Sequence, residues 1–109
     1  MADRLRDTIA MVTGGAGGIG SETARLFCAE GARVAIVDLN ADNLRLVAAS
    51  ITEDIPSAAI LPITADISRE EEAARAVAEL VAAFGGLTAL VNNAGVRAFG
   101  PISEASPDS

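Results

Sequence analysis

The sequence predicts an α/β protein of three layers, with a parallel sheet of about four strands held between helices. Short, continuously apolar runs alternate with segments of helical period, and turn-forming residues separate them. The composition points the same way. Half of the 109 residues are hydrophobic, mostly Ala, Val, Leu and Ile, with three Phe and no Tyr or Trp. Such residues suit buried parallel strands covered by Ala-rich helices. The length fits one domain, 1–109.

Taken in order, the first strand is expected at Ile9–Val12, running into the glycine cluster Gly14 to Gly20. A helix should follow from Ile19 to Glu30. Its apolar positions Ile19, Thr23, Leu26 and Phe27 recur at helical spacing, and Gly31 suits its C-terminal cap. Val34–Val37 is apolar throughout and stops at Asp38, the pattern of a buried parallel strand. Asn40 can cap the next helix, whose inward face is Leu44, Val47, Ala48 and Ile51. After Pro56 a third strand is expected at Ala58–Thr64. Pro62 within it has no N–H to give to a ladder, so this strand belongs at the sheet edge.

Ser68 and Glu71 have the spacing of a capping box opening a third helix. Ala73, Ala74, Val77, Leu80, Val81 and Phe84 supply its apolar face, and Gly85-Gly86 stops it. A fourth strand, Leu87–Val91, leads into Asn92-Asn93-Ala94-Gly95. Right-handed crossovers, two leading away from the first strand and one returning, give the order 3-2-1-4. The first two helices then share one face and the third lies on the other. One helix cannot cover a face that wide, and the fourth strand is left as an open edge. Both features predict self-association.

Eight basic and fifteen acidic residues leave a net charge of −7, which argues against nucleic acid and anionic membranes as partners. The longest apolar run near the N-terminus, Ile9–Val12, is too short for a signal peptide or a membrane span, so a cytoplasmic location is expected. The single Cys28 excludes an internal disulfide and fits a reducing compartment. All eight basic residues are Arg: Lys, His and Tyr are absent.

Thr13-Gly14-Gly15-Ala16-Gly17-Gly18-Ile19-Gly20 lies between a strand and a helix. A tight turn there needs positive φ, and a pyrophosphate needs close approach to backbone N–H groups; glycine meets both demands. The helix that follows aims its positive dipole end at the phosphates. Asp38 comes about twenty residues after this loop, at the end of the second strand, where a carboxylate accepts hydrogen bonds from the adenosine ribose. The same charge repels a 2′-phosphate, and no Arg lies adjacent in sequence. NAD rather than NADP is the expected cofactor.

These residues resemble the short-chain dehydrogenases/reductases, Rossmann-fold oxidoreductases that use nicotinamide cofactors. Thr13 to Gly20 fits the family pattern T-G-x-x-x-G-x-G, Asn92 to Gly95 is its N-N-A-G, and Asp66-Ile67 is similar to its adenine-contacting pair. The resemblance implies that Gly14, Gly18, Ile19 and Gly20 line the pyrophosphate and nicotinamide side. It also implies that Asp66 and Ile67 contact the adenine, and that Asn92, Ala94 and Gly95 lie near the riboses. A strand-end cap remains an alternative role for Asp66, and a bridge between neighbouring strands remains one for Asn92. The family places a catalytic Ser and a Y-x-x-x-K motif downstream of N-N-A-G, and no residue here can take those roles.

Hydride transfer at an alcohol carbon needs a matching proton transfer at its oxygen, from a group of suitable pKa. Without Tyr, Lys or His, the chain offers only carboxylates, Arg and Cys28. Cys28 falls inside a helix, where a packed thiol is inert. Glu70-Glu71-Glu72 is read as a solvated helix start, with no metal site. Ser106-Pro107-Asp108 carries a helix-start signal immediately before the last residue, so a truncated chain is expected. The expected function is the NAD-binding portion of an oxidoreductase, inactive alone. The competing expectation is a non-catalytic nucleotide-binding or interaction module.

Overall fold

Each of the four apolar runs becomes a strand in the computed structural model, which describes residues 4–93. The elements are β1 (Ile9–Thr13), α1 (Gly18–Ala29), β2 (Arg33–Asp38), α2 (Ala41–Asp54), β3 (Ala59–Thr64), α3 (Glu70–Phe84) and β4 (Ala89–Asn92). All strands are parallel and lie in the order β3-β2-β1-β4, as expected. Pro62 faces Ile36 from the edge strand β3 and is exposed, where its missing N–H costs no ladder bond. The expected helix start at Ser106–Asp108 lies outside the described residues.

Side chains alternate across the sheet and divide the core in two. Val12, Val34 and Ile36 meet Ala24 and Cys28 of α1 and Leu44 and Ile51 of α2. On the opposite face Ile9, Met11, Ala35, Val37 and Ile63 meet Ala76 and Leu80 of α3. This is the expected three-layer arrangement. Leu90 pairs with Met11 in register, on the α3 side, and is 61% exposed. The single helix leaves that end of its face open.

Helix termini follow the local chemistry. Asn40 caps α2 by accepting from Asn43 N at 3.0 Å. Gly31 at φ 94° ends α1, with Ala32 N donating to Phe27 O and Gly31 N to Cys28 O, both at 3.0 Å. That pair of bonds is a Schellman ending. Gly85, also at φ 94°, closes α3.

Three expectations are corrected. In α1 the inward face is Gly20, Ala24 and Cys28, and of the expected positions only Phe27 packs inward; Ile19 is 77% and Leu26 64% exposed. The first turn lies so close to the loop before it that Gly20 admits no side chain. In α3, Leu80, Val77 and Phe84 pack inward as expected, but Ala76 is buried in place of Ala74 and Val81, which are exposed. The capping box is not formed. α3 has Arg69 as N-cap with no side-chain cap bond, because both Ser68 N and Ser68 Oγ donate to Asp66 Oδ1, at 3.0 and 2.6 Å. The Ser68 amide, which a capping box would give to Glu71, goes to the Asp66 carboxylate instead.

Candidate functional site

Parallel strands bring all their C-terminal ends to one rim of the sheet. β1 lies where the strand order reverses, between β2 and β4, and this is the position where α/β sheets open a crevice. The loop leaving β1 occupies it. Gly14 takes φ 68°, a conformation that favours glycine, and its carbonyl accepts from Gly17 N at 3.1 Å. Gly15 N donates to Val37 O at 3.0 Å and ties the loop to β2. Gly15 itself fits against Ile36, whose Cβ would stand 2.6 Å from an added methyl. This requirement was not singled out in the sequence, since a glycine beside other glycines carries no separate signal.

α1 starts at Gly18 behind the N-cap Gly17, with no side-chain cap and no acidic residue in its first turn. By helix geometry the amides of Gly18, Ile19 and Gly20 have no intrahelical acceptor. A methyl on Gly18 would find nothing within 4 Å, so the space over this turn is open. A methyl on Gly20 would stand 2.2 Å from Gly14 O. The loop therefore combines open room, free donors and a positive dipole end, which fits a pyrophosphate. Ile19 lies exposed beside it.

Asp38 ends β2 with its carboxylate turned toward the loop. Oδ2 accepts from Ala16 N at 3.1 Å, and Oδ1 accepts from Leu39 N at 2.7 Å and Asn40 N at 3.4 Å. A carboxylate offers about four acceptor sites, so capacity remains for a sugar hydroxyl. The Asp38 carbonyl accepts from Ala65 N at 3.0 Å, which brings the loop after β3 alongside. Asp66 and Ile67 sit in that loop. Ser68 bonds to the Asp66 carboxylate, and Arg69 nearby, hold its pKa below the ordinary value of 3.8. Ile67 packs partly into the α3-side core.

Two further features answer questions left open by the sequence. Thr13, buried at the end of β1, donates through Oγ1 to Asn92 Oδ1 at 2.9 Å, so Asn92 does bridge neighbouring strands. Glu72 is more than a solvated helix residue: its Oε1 accepts from Asp66 N at 2.8 Å. Sequence spacing did not reveal that contact. Gly14, Gly18, Ile19, Gly20, Asp38, Asp66, Ile67 and Asn92 all lie at or beside the same rim, while Ala94 and Gly95 fall outside the described residues. Cys28 lies away from it, buried under α1, and burial pushes its thiol up from 9.0 to about 11. Among the described residues no helix is long and apolar enough to cross a membrane.

A sequence model of the family described as short chain dehydrogenase matches residues 8–109. An uncharacterized oxidoreductase of Bacillus subtilis (strain 168), YuxG, is 37% identical over 90% of this chain and 14% of its own length. The 2,5-dichloro-2,5-cyclohexadiene-1,4-diol dehydrogenase LinX of Sphingobium indicum is 42% identical over 97% of this chain and 42% of its own. Among solved structures, the C-domain of a bacterial malonyl-CoA reductase with NADP superposes with TM-score 0.78 at 31% identity. It covers 84% of this chain and 15% of that one. The chain thus spans less than half the length of each relative it matches here.

Proposed function

The chain belongs to the short chain dehydrogenase family, which binds nicotinamide cofactors, and from that premise we propose that it is the NAD-binding portion of an oxidoreductase. The whole protein would transfer hydride between NAD and an alcohol or carbonyl substrate. One observation carries the choice of NAD: the Asp38 carboxylate stands at the loop rim, 3.1 Å from Ala16 N. There it is placed to accept from ribose hydroxyls and to oppose a 2′-phosphate. A solved relative of the same fold is described with NADP, so the choice of NAD here rests on Asp38 and not on the fold.

When bound, the nicotinamide supplies the hydride acceptor or donor. The chain's own residues bind and orient. The Gly18, Ile19 and Gly20 amides face the diphosphate, Asp38 the adenosine ribose, and Asp66 and Ile67 the adenine. Asn92 lies toward the riboses, a role that the family motif Asn92–Gly95 also assigns to Ala94 and Gly95. None of the 109 residues is a Tyr, Lys or His, so this chain supplies no side chain of suitable pKa for the proton that accompanies hydride transfer. It is expected to bind dinucleotide without turnover. The relatives are oxidoreductases, which favours this reading over a non-catalytic interaction module.

Calorimetric titration of the chain and of D38N with NAD and NADP tests the assignment. A unit charge pair about 4 Å apart repels by roughly 1 to 4 kcal/mol between water-like and surface-like screening. Asp38 is partly exposed, so the lower part of that range applies. The wild type should favour NAD, and D38N should narrow the preference by about tenfold. Tighter NADP binding by the wild type would refute the role given to Asp38.

A further inference from the structure

The loop between β3 and α3 is held by side chains of α3 that no sequence motif predicts. Glu72 stands in the first turn of α3, at the third helical position. A glutamate there ordinarily reaches back to the amide of the N-cap residue. Glu72 passes Arg69 and accepts instead from Asp66 N, at 2.8 Å. Arg75, one turn on, donates to Thr64 O at 2.9 Å, lies 3.6 Å from the same Glu72 oxygen, and is held on its other side by Glu79 at 2.5 Å. The main chain is thus gripped at Thr64 and again at Asp66. From β2 it is gripped between them, where Ala65 N donates to Asp38 O.

Held this way, the Asp66 carboxylate has one defined orientation. Oδ1 takes both Ser68 donors, and Oδ2 has no partner among the described residues. We propose that Glu72, supported by Arg75, is the positioning residue that aims Asp66 Oδ2 at the amino group of the adenine and so sets the site's base selectivity. The proposal rests on the adenine contact assigned to Asp66 under the proposed function. Glu72 touches no cofactor; it acts through the Asp66 backbone. Its charge also favours the helix start, and that structural role would affect every dinucleotide equally.

Base selectivity separates the two roles. Nicotinamide hypoxanthine dinucleotide carries an oxo group in place of the adenine amino group, so its 6-position accepts and cannot donate to Asp66 Oδ2. The experiment titrates the full chain with NAD and with this analogue, for the wild type and for E72D, E72Q, E72A and D66A. E72D keeps the negative charge at the helix start but shortens the reach, so it serves even if E72A fails to fold. E72Q keeps a carbonyl oxygen at the same reach.

The expected result is that E72D and E72A narrow the preference for NAD by about fivefold, the scale of one hydrogen bond. Affinity for the hypoxanthine analogue should hold within about twofold, well below that scale. E72Q should keep the preference. Hydrogen exchange at the Asp66 amide of the ligand-free chain should accelerate in E72D and not in E72Q. An unchanged preference in E72D, equal weakening of both dinucleotides, or unchanged exchange overturns the positioning role. A wild type without preference, or a D66A variant that retains it, refutes the adenine contact itself, and the role of Glu72 falls with it. Loss of preference in D66A without loss in E72D refutes the positioning role alone.

Discussion

Two glycines of the same loop should respond to one added methyl in opposite ways. At Gly20 the methyl would stand 2.2 Å from Gly14 O and 2.9 Å from Gly14 C, both main-chain atoms of a turn fixed at φ 68°. Neither atom can retreat as a flexible side chain would. Overpacking of this kind costs about 1 to 3 kcal/mol, so G20A should lower the melting temperature by roughly 5 to 20 °C for a domain of this size. At Gly18 the methyl meets nothing within 4 Å. Gly18 does not take positive φ, so alanine there gains about 0.4 to 1 kcal/mol through the unfolded chain, and G18A should melt at or slightly above the wild type. The open space over Gly18 is where the diphosphate would approach, so G18A should weaken NAD by about tenfold or more, which is 1.4 kcal/mol. Calorimetry with and without NAD checks both. A G18A chain that binds NAD as tightly as the wild type would show that the phosphates lie elsewhere. A G20A chain that melts unchanged would refute the close approach of α1 to its loop.

Two other responses follow from the same structure. Burial raises the Cys28 thiol from 9.0 to about 11, against a smaller opposing pull from Arg25. The folded chain therefore favours the neutral thiol, and this contribution to stability is complete below pH 9.0 and lost as pH rises toward about 11. Denaturant titrations across that window should show a steeper loss for the wild type than for C28A, and equal slopes would contradict it. Leu90, 61% exposed on the α3 side of β4, marks the uncovered end of that face. The chain should self-associate with increasing concentration, and L90D should shift the sedimentation profile toward monomer. A wild type that sediments as a monomer at every concentration would count against a sticky face.

What the sequence disclosed depended on the range of the interactions involved. Strand order was legible because the handedness of the crossovers fixes it once the strands are found, and Pro62 marks β3 as an edge. The glycine loop was legible because its signal lies within a few residues. The inward face of α1 was not. Hydrophobic spacing favoured Ile19 and Leu26, whereas the close approach of Gly20 to Gly14 O turns Gly20, Ala24 and Cys28 inward. Periodicity reports which residues are apolar, and it carries no information about clearance. At the start of α3, two carboxylates lay within reach of the Ser68 amide, Glu71 in a capping box and Asp66 two residues back. Spacing alone could not show that Asp66 takes both Ser68 donors. Glu72 was illegible for a related reason, since its reach past the N-cap depends on where the turn carries Asp66.

Asp38 joins these local pieces into one site. Its carboxylate holds Ala16 N in the glycine loop, its carbonyl holds Ala65 N ahead of Asp66, and its neighbour Val37 holds Gly15 N. Removing the side chain therefore does more than delete a ribose contact, because it also releases the loop that faces the diphosphate. Asparagine at this position keeps one oxygen for Ala16 N while losing the charge, whereas alanine loses both. Charge repulsion alone predicts that D38N and D38A shift the NAD-to-NADP ratio alike. The hydrogen bond to Ala16 predicts that D38A also weakens both cofactors together. The difference between the two variants thus measures how far the carboxylate acts on the loop rather than on the sugar.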